Sequence, residues 1–343
     1  MKLALLGCLA IALLSPGSIA QDEIVPDLPK LVTQDTFRAI QGGLKSLARE
    51  RHKDGYWRAS GGGGEYPVAM TGLCGLALIA SGSTPTRGPH AKDVRMAVRY
   101  ILNQQQPNGL FAARAEEPRS MYGHGFGMLF LAQAYGMEED QKRQREIKRK
   151  LQKGIELTAR SQSRDGGWLY TPNSMGDEGS VTVTQIQALR ACRNAGLHVP
   201  KTTIDRAISY IERSQNPDGG ISYSVRQRGS RPAISAAACA VLYNAGAYDS
   251  PAADKCFQYA WRTCQPRTSH GHYFYTQLYM SQAVWQKGDK HWAKYYPKIR
   301  QQMIALQQGN GSWKGDGVGT TYGTAIALLI LQLPYNQLPI LSR

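Results

Sequence analysis

Two adjacent carboxylates, Asp177 and Glu178, stand in the run Gly176-Asp177-Glu178-Gly179-Ser180-Val181-Thr182, just ahead of an apolar segment. Paired acids can keep one proton between them, because two like charges side by side raise the pKa of one partner. Such a group can protonate a substrate. The plainer alternative is that acids at a helix start cap free N–H groups and complement the dipole. Glu65, Tyr66, Tyr122, His124, Arg231, His272, Tyr275 and Tyr322 stand at the beginnings of similar segments. Aromatics, histidines, arginine and acids over an apolar floor are what a small-ligand site requires. Zinc needs three or four convergent donors. His124, His270 and His272 could contribute, but a polar histidine at a helix start also serves as a brace. No metal and no cofactor is expected. The run Gly61-Gly62-Gly63-Gly64 has no Lys-Ser/Thr after it and no strand before it, so it is not a phosphate loop.

The wider composition narrows the partners. The 343 residues carry a formal charge of +16. Its densest run is Lys142 to Lys153, preceded by Glu138-Glu139-Asp140, which reads as a solvated helix face whose charges follow the dipole. An anionic envelope polymer or lipid headgroup is the functional competitor. Nucleic acid is not expected, because residues 1–20 read as a secretory signal peptide: Lys2, an apolar core from Leu3 to Leu14, and small residues up to Ala20. That core is too short to span a bilayer, and no later segment is long and apolar enough. The expectation is a secreted or periplasmic chain beginning at Gln21, with a linker over 21–34 and one domain over 35–343. Cys74, Cys192, Cys239, Cys256 and Cys264 would remain, odd in number and without a zinc-ribbon spacing, and are expected as buried thiols.

What must position the candidate residues is a repeat. One phrase, Gln-x-x-x-Gly-x-aromatic, recurs: Arg51…Gly55-x-Trp57, Gln105…Gly109-x-Phe111, Gln162…Gly166-x-Trp168, Gln215…Gly219-x-Ile221 and Gln307…Gly311-x-Trp313. Arg51 replaces Gln in the first copy and Ile221 replaces the aromatic in the fourth. The long gap before Gly311 leaves room for a degenerate copy at Gln265-Pro266-Arg267-Thr268-Ser269, making six. A fixed period of this size marks a repeat architecture. An amphipathic helix precedes each copy, and a segment apolar nearly all round follows it. Gly82, Gly136, Gly196, Gly246 and Gly288 end five of these apolar segments and suit a left-handed C′ position. Six such pairs hide their apolar faces by closing into a ring. An open array would need polar capping repeats, whereas Thr324 to Leu331 is among the most apolar segments. The tail from Leu333 to Ile340 is expected to pack across the closure.

The phrase resembles the QW repeat of squalene–hopene and oxidosqualene cyclases, and is similar to the repeat of protein prenyltransferase β-subunits. The resemblance covers roughly residues 35 to 343 and implies an all-α fold, an α/α toroid of six outer and six inner helices, like the small secreted single-toroid members. It implies little about chemistry. The cyclases' Asp-x-Asp-Asp acid is only partly matched by Asp177-Glu178. In the prenyltransferase zinc site, Tyr275 stands where the ligand histidine would align.

The remaining inference is geometric. In a closed ring all six inner helices start at one rim, aiming free N–H groups at a common mouth. The mouth would then bind a small apolar or extended ligand. Three functions remain open: a ligand-binding toroid, a divergent cyclase or lyase using Asp177 or Glu178 (or a polysaccharide-acting enzyme using Glu65, His124 or Tyr275), and a non-catalytic scaffold.

Overall fold

The structure is a computed structural model that describes residues 27–342. The signal peptide and most of the 21–34 linker lie outside the described residues. Twelve α-helices alternate between two layers. The outer ones are α1 (Gln34–Glu50), α3 (Ala91–Asn103), α5 (Gln141–Arg160), α7 (Lys201–Arg213), α9 (Pro251–Thr263) and α11 (Asp289–Leu306). The inner ones are α2 (Pro67–Ala80), α4 (Ser120–Tyr135), α6 (Gly179–Asn194), α8 (Pro232–Asn244), α10 (Tyr273–Lys287) and α12 (Thr320–Gln332). Outer helices bury one stripe, such as Ile147, Leu151 and Ile155 in α5, while every residue of α2 is buried. Each inner helix packs on the next, and α12 returns to α2. The fold is an all-α, closed α/α toroid.

The repeat phrase is the fastener between neighbouring hairpins. Gln105 Nε2 donates to Gly109 O within its own turn and to Lys150 O of the next outer helix. Gln162 does the same with Gly166 and Thr203, and Gln215 with Gly219 and Ala252. In the first copy Arg51 reaches the next outer helix differently, through an ion pair to Asp93 at 2.7 Å. The glycine has two reasons to be there. Its φ lies near +90° in all five copies, and a Cβ on Gly109, Gly166 or Gly219 would sit about 2.4–2.5 Å from a carbonyl oxygen of the next outer helix. The Trp57, Trp168 and Trp313 indoles are buried, and each donates to a carbonyl of its preceding outer helix. In the degenerate copy Gln265 turns back to Trp261 O of its own helix.

Two expectations need correction. Gly136 ends α4 with φ −68°, in right-handed geometry that any residue adopts, whereas Gly82, Gly196 and Gly246 are left-handed. The tail does not cross the seam. After α12 it turns at Leu333–Tyr335 and enters the ring axis, where Ile340 N donates to Gln133 Oε1 of α4. The seam is closed by α1, α11 and the last repeat turn. All five described cysteines are buried and unbridged. No helix among the described residues is long and apolar enough to cross a membrane.

Candidate functional site

The six inner helices begin at one rim, and the candidate residues sort there by how far they reach inward. At the centre lie Tyr122, Glu178, Tyr275 and Tyr322. Glu178 is the N-cap of α6 and is 1 % exposed. Its carboxylate accepts from Ser180 N, Val181 N and Ser180 Oγ at 2.7–2.8 Å, and from Tyr122 Oη of α4 at 3.2 Å. Tyr122 Oη also meets Ser180 Oγ at 2.6 Å. The buried hydroxyl of Tyr275 has no hydrogen-bond partner among the described residues. Burial first, then the nearby Tyr279, Tyr122, Glu178 and Tyr322, push its pKa well above the ordinary phenol value. Burial does the same to Tyr122 and Tyr322. Phe126, Ile234 and Tyr322, each 8–9 % exposed, mark the floor and wall of a shallow funnel.

Asp177 faces the other way. Its Oδ2 accepts from Ser163 Oγ at 3.3 Å, in the repeat turn between the layers. The adjacent acids therefore do not share a proton: consecutive residues entering a helix project to different sides, and here one goes outward and one inward. Both oxygens of Glu178 are spent as acceptors, so neither aims an O–H at the lumen.

His124 is also corrected as a mouth residue. It is fully buried between the layers, where Phe111 N donates to Nδ1 at 3.2 Å and Nε2 meets Thr158 Oγ1 at 2.9 Å. In the other copies the same backbone N–H, that of Trp57, Trp168, Ile221 or Trp313, is received by Thr71, Thr182, Ser235 or Thr324. His124 is the second repeat's version of that hydroxyl, and desolvation lowers its pKa to about 4. Glu65 is exposed and paired with Arg58 at 3.1 Å. Tyr66 caps α2 in a left-handed conformation, φ 44°, and is half-buried at the rim. Arg231 and His272 are exposed caps of α8 and α10. His270 contacts Thr263 O rather than joining His272 and His124. Among the described residues no three His, Cys, Asp or Glu side chains converge on a metal-sized site.

Sequence reading missed two rim carboxylates. Glu116 lies in a 3-10 turn (Arg114–Arg119), is 1 % exposed, and accepts from Val68 N and Ala69 N at the start of α2 and from Ala113 N. Burial raises its pKa to about 7, against the lowering effect of those three N–H groups. Asp316, in the loop before α12, accepts from Phe274 N at the start of α10, and burial raises its pKa too. With Glu178 on α6, alternate inner helices thus have a carboxylate from this chain on their N-terminus. The positive dipole ends that would draw an anion are half neutralised. No sequence signal marks Glu116 and Asp316 as caps, because each serves a helix far from it in the chain. A second rim cluster was also missed. Tyr170 and Tyr223, at equivalent places in consecutive repeats, join hydroxyls at 2.6 Å, and the Arg119 guanidinium lies 5.3 Å from the Tyr170 ring centre.

No known protein-family profile matches the chain. Drimenyl diphosphate synthase of Streptomyces showdoensis is 28% identical over 186 residues, 54% of this chain and 32% of that protein. Drimenyl diphosphate synthase of Streptantibioticus cattleyicolor is 25% identical over 196 residues, 57% of this chain and 34% of that protein. The match thus spans about a third of the length of these relatives. Among solved structures, the type II terpene cyclase MstE of Scytonema superposes with a TM-score of 0.60 at 14% identity, covering 89% of this chain and 100% of that one. An inactive variant of the α-1,6-mannanase GH76A of a Salegentibacter species, in complex with α-1,6-mannotetrose, gives 0.63 at 8% identity, covering 87% and 98%. At such identities the structural likeness is one of fold: a terpenoid-cyclase-like α/α toroid.

Proposed function

We propose that this chain is an exported single-toroid protein that binds an apolar or extended organic ligand at the mouth where its inner helices begin. The single observation that carries this reading is the convergence of Tyr122, Tyr275 and Tyr322 around the capped carboxylate of Glu178. The Tyr275 hydroxyl, buried and unpartnered, is a donor that a ligand oxygen would satisfy. The floor beneath is apolar, and the carboxylates already seated on α2, α6 and α10 disfavour a strongly anionic ligand there. The cyclase-like relatives lend support, since MstE has been captured with the extended substrate geranylgeranyl dihydroxybenzoate. Glu178 orients Tyr122 rather than donating a proton.

Calorimetric titration with farnesol and geranylgeraniol tests this. Saturable binding with a negative heat-capacity change is expected, weakened in Tyr122→Ala and Tyr322→Ala. No saturable binding to either alcohol overturns the reading. Cyclised products that disappear in Glu178→Gln replace it with a cyclase. Export is tested separately by the N-terminus of the processed protein.

A further inference from the structure

The lumen has a second end, and the chain fills it with itself. Beyond α12, Asn336 turns the backbone through a left-handed conformation, φ 54°, and the strap from Leu338 to Ser342 runs into the ring where the inner helices finish. Leu338, Ile340 and Leu341 are 4, 4 and 8 % exposed. They share a cavity of about 20 Å3 with Leu73, Leu76, Phe126, Leu129, Leu278 and Leu329, drawn from four inner helices. Such a space holds about one water molecule. Gln187 of α6 donates to Gln282 Oε1 of α10 at 2.7 Å beside it, linking two inner helices that have α8 between them.

The strap is held mostly by itself. Leu341 N donates to Leu338 O, Ser342 N to Pro339 O, and Ser342 Oγ to Leu338 O. Among the described residues its hydrogen bond to the ring is the one from Ile340 N to Gln133 Oε1 at 3.2 Å. What seats it is therefore apolar contact, which is non-directional. A linear alkyl or isoprenyl chain would make equivalent contacts with the same leucine and phenylalanine walls. Removing the three strap side chains would merge their volume with the existing void, in the direction of the few hundred Å3 that ligand sites have.

We propose that this end of the lumen is a binding site for a linear apolar chain, occupied in the free protein by Leu338–Leu341, and that such a ligand displaces the strap. Phe126 borders both this cavity and the mouth, so a bound chain would run along the ring axis. The proposal deepens the ligand-binding reading but stands on different residues.

The test uses 11-(dansylamino)undecanoic acid and the full chain, followed by hydrogen–deuterium exchange. In wild type, saturating probe is expected to increase exchange of residues 333–342 while α2, α4 and α10 stay protected. The variant Leu338→Ala/Ile340→Ala/Leu341→Ala is expected to bind the probe at least about tenfold more tightly, because it no longer pays for expelling a competitor. Probe binding with unchanged exchange of the strap overturns the proposal, as does no binding to either protein. If the triple variant does not fold, the wild-type exchange result alone decides. Tyr122→Phe and Tyr275→Phe leave the strap intact, so loss of their effect would count against the mouth reading and not against this one.

Discussion

Gln307 Nε2 donates to the carbonyl oxygen of Ala39 at 2.9 Å, joining the last repeat turn to the first outer helix across 268 positions of the chain. It is the same bond that Gln105, Gln162 and Gln215 make to the helix that follows them. Here the following helix is α1, so one local rule, applied a last time, closes the ring.

Gln307→Ala removes this bond and the one to Gly311 O. The expected cost is about 1–3 kcal/mol, read as a lower midpoint in urea or thermal unfolding. Gly311→Ala should cost more. It forces an L side chain into φ +87° and sets a Cβ 2.5 Å from Gly42 O. Equal midpoints for Gly311→Ala and wild type would show that the seam does not hold the ring.

Acid should act through His124. Its folded pKa, about 4, lies below the unfolded value near 6.5, so the unfolded chain binds the extra proton between those limits. Stability from this group is present above pH 6.5 and lost as the pH falls toward 4, by roughly 3 kcal/mol at full development. Glu116 works in the opposite sense. Its folded pKa, about 7, lies above the unfolded one near 4.5, so its contribution is present below 4.5 and is lost as the pH rises through 7. Comparison with His124→Thr separates the two. Threonine, the residue used at this place in three other repeats, should keep the bond to Phe111 N and flatten the limb between pH 6.5 and 4. An unchanged acid limb in that variant would assign it to other groups.

Tyr275→Phe removes a hydroxyl that has no partner, so unfolding should be unaffected or slightly harder. If a ligand oxygen satisfies that hydroxyl, its affinity should fall about 2–10-fold in the variant. Calorimetry and thermal unfolding of the same preparation check both halves. A destabilised variant with unchanged affinity would make Tyr275 a structural residue.

Thiol counting checks export and burial together. The native chain should resist a thiol reagent, since every described cysteine is buried. In denaturant, five thiols should react if cleavage follows Ala20, and all six cysteines if Cys8 is retained. Mass spectrometry of the N-terminal peptide should find Gln21.

The repeat phrase by itself determined the architecture. A glycine needing positive φ, a glutamine with two donors and a following aromatic are local demands. Their recurrence named six hairpins, and the apolar segments placed the inner helices to within two residues of their observed limits. The candidate site was less legible. Asp177 and Glu178 are neighbours in sequence, and only the pitch of the chain entering α6 decided that one turns outward and the other inward. His124 looked like a rim histidine until the fold placed it beside Thr158, 34 positions away, as one repeat's substitute for a threonine. Glu116, Asp316 and the strap at Ile340 act on helices distant in the chain. Periodicity reports which face of an element is buried, but a hydrogen bond between distant elements depends on how the closed ring brings them together.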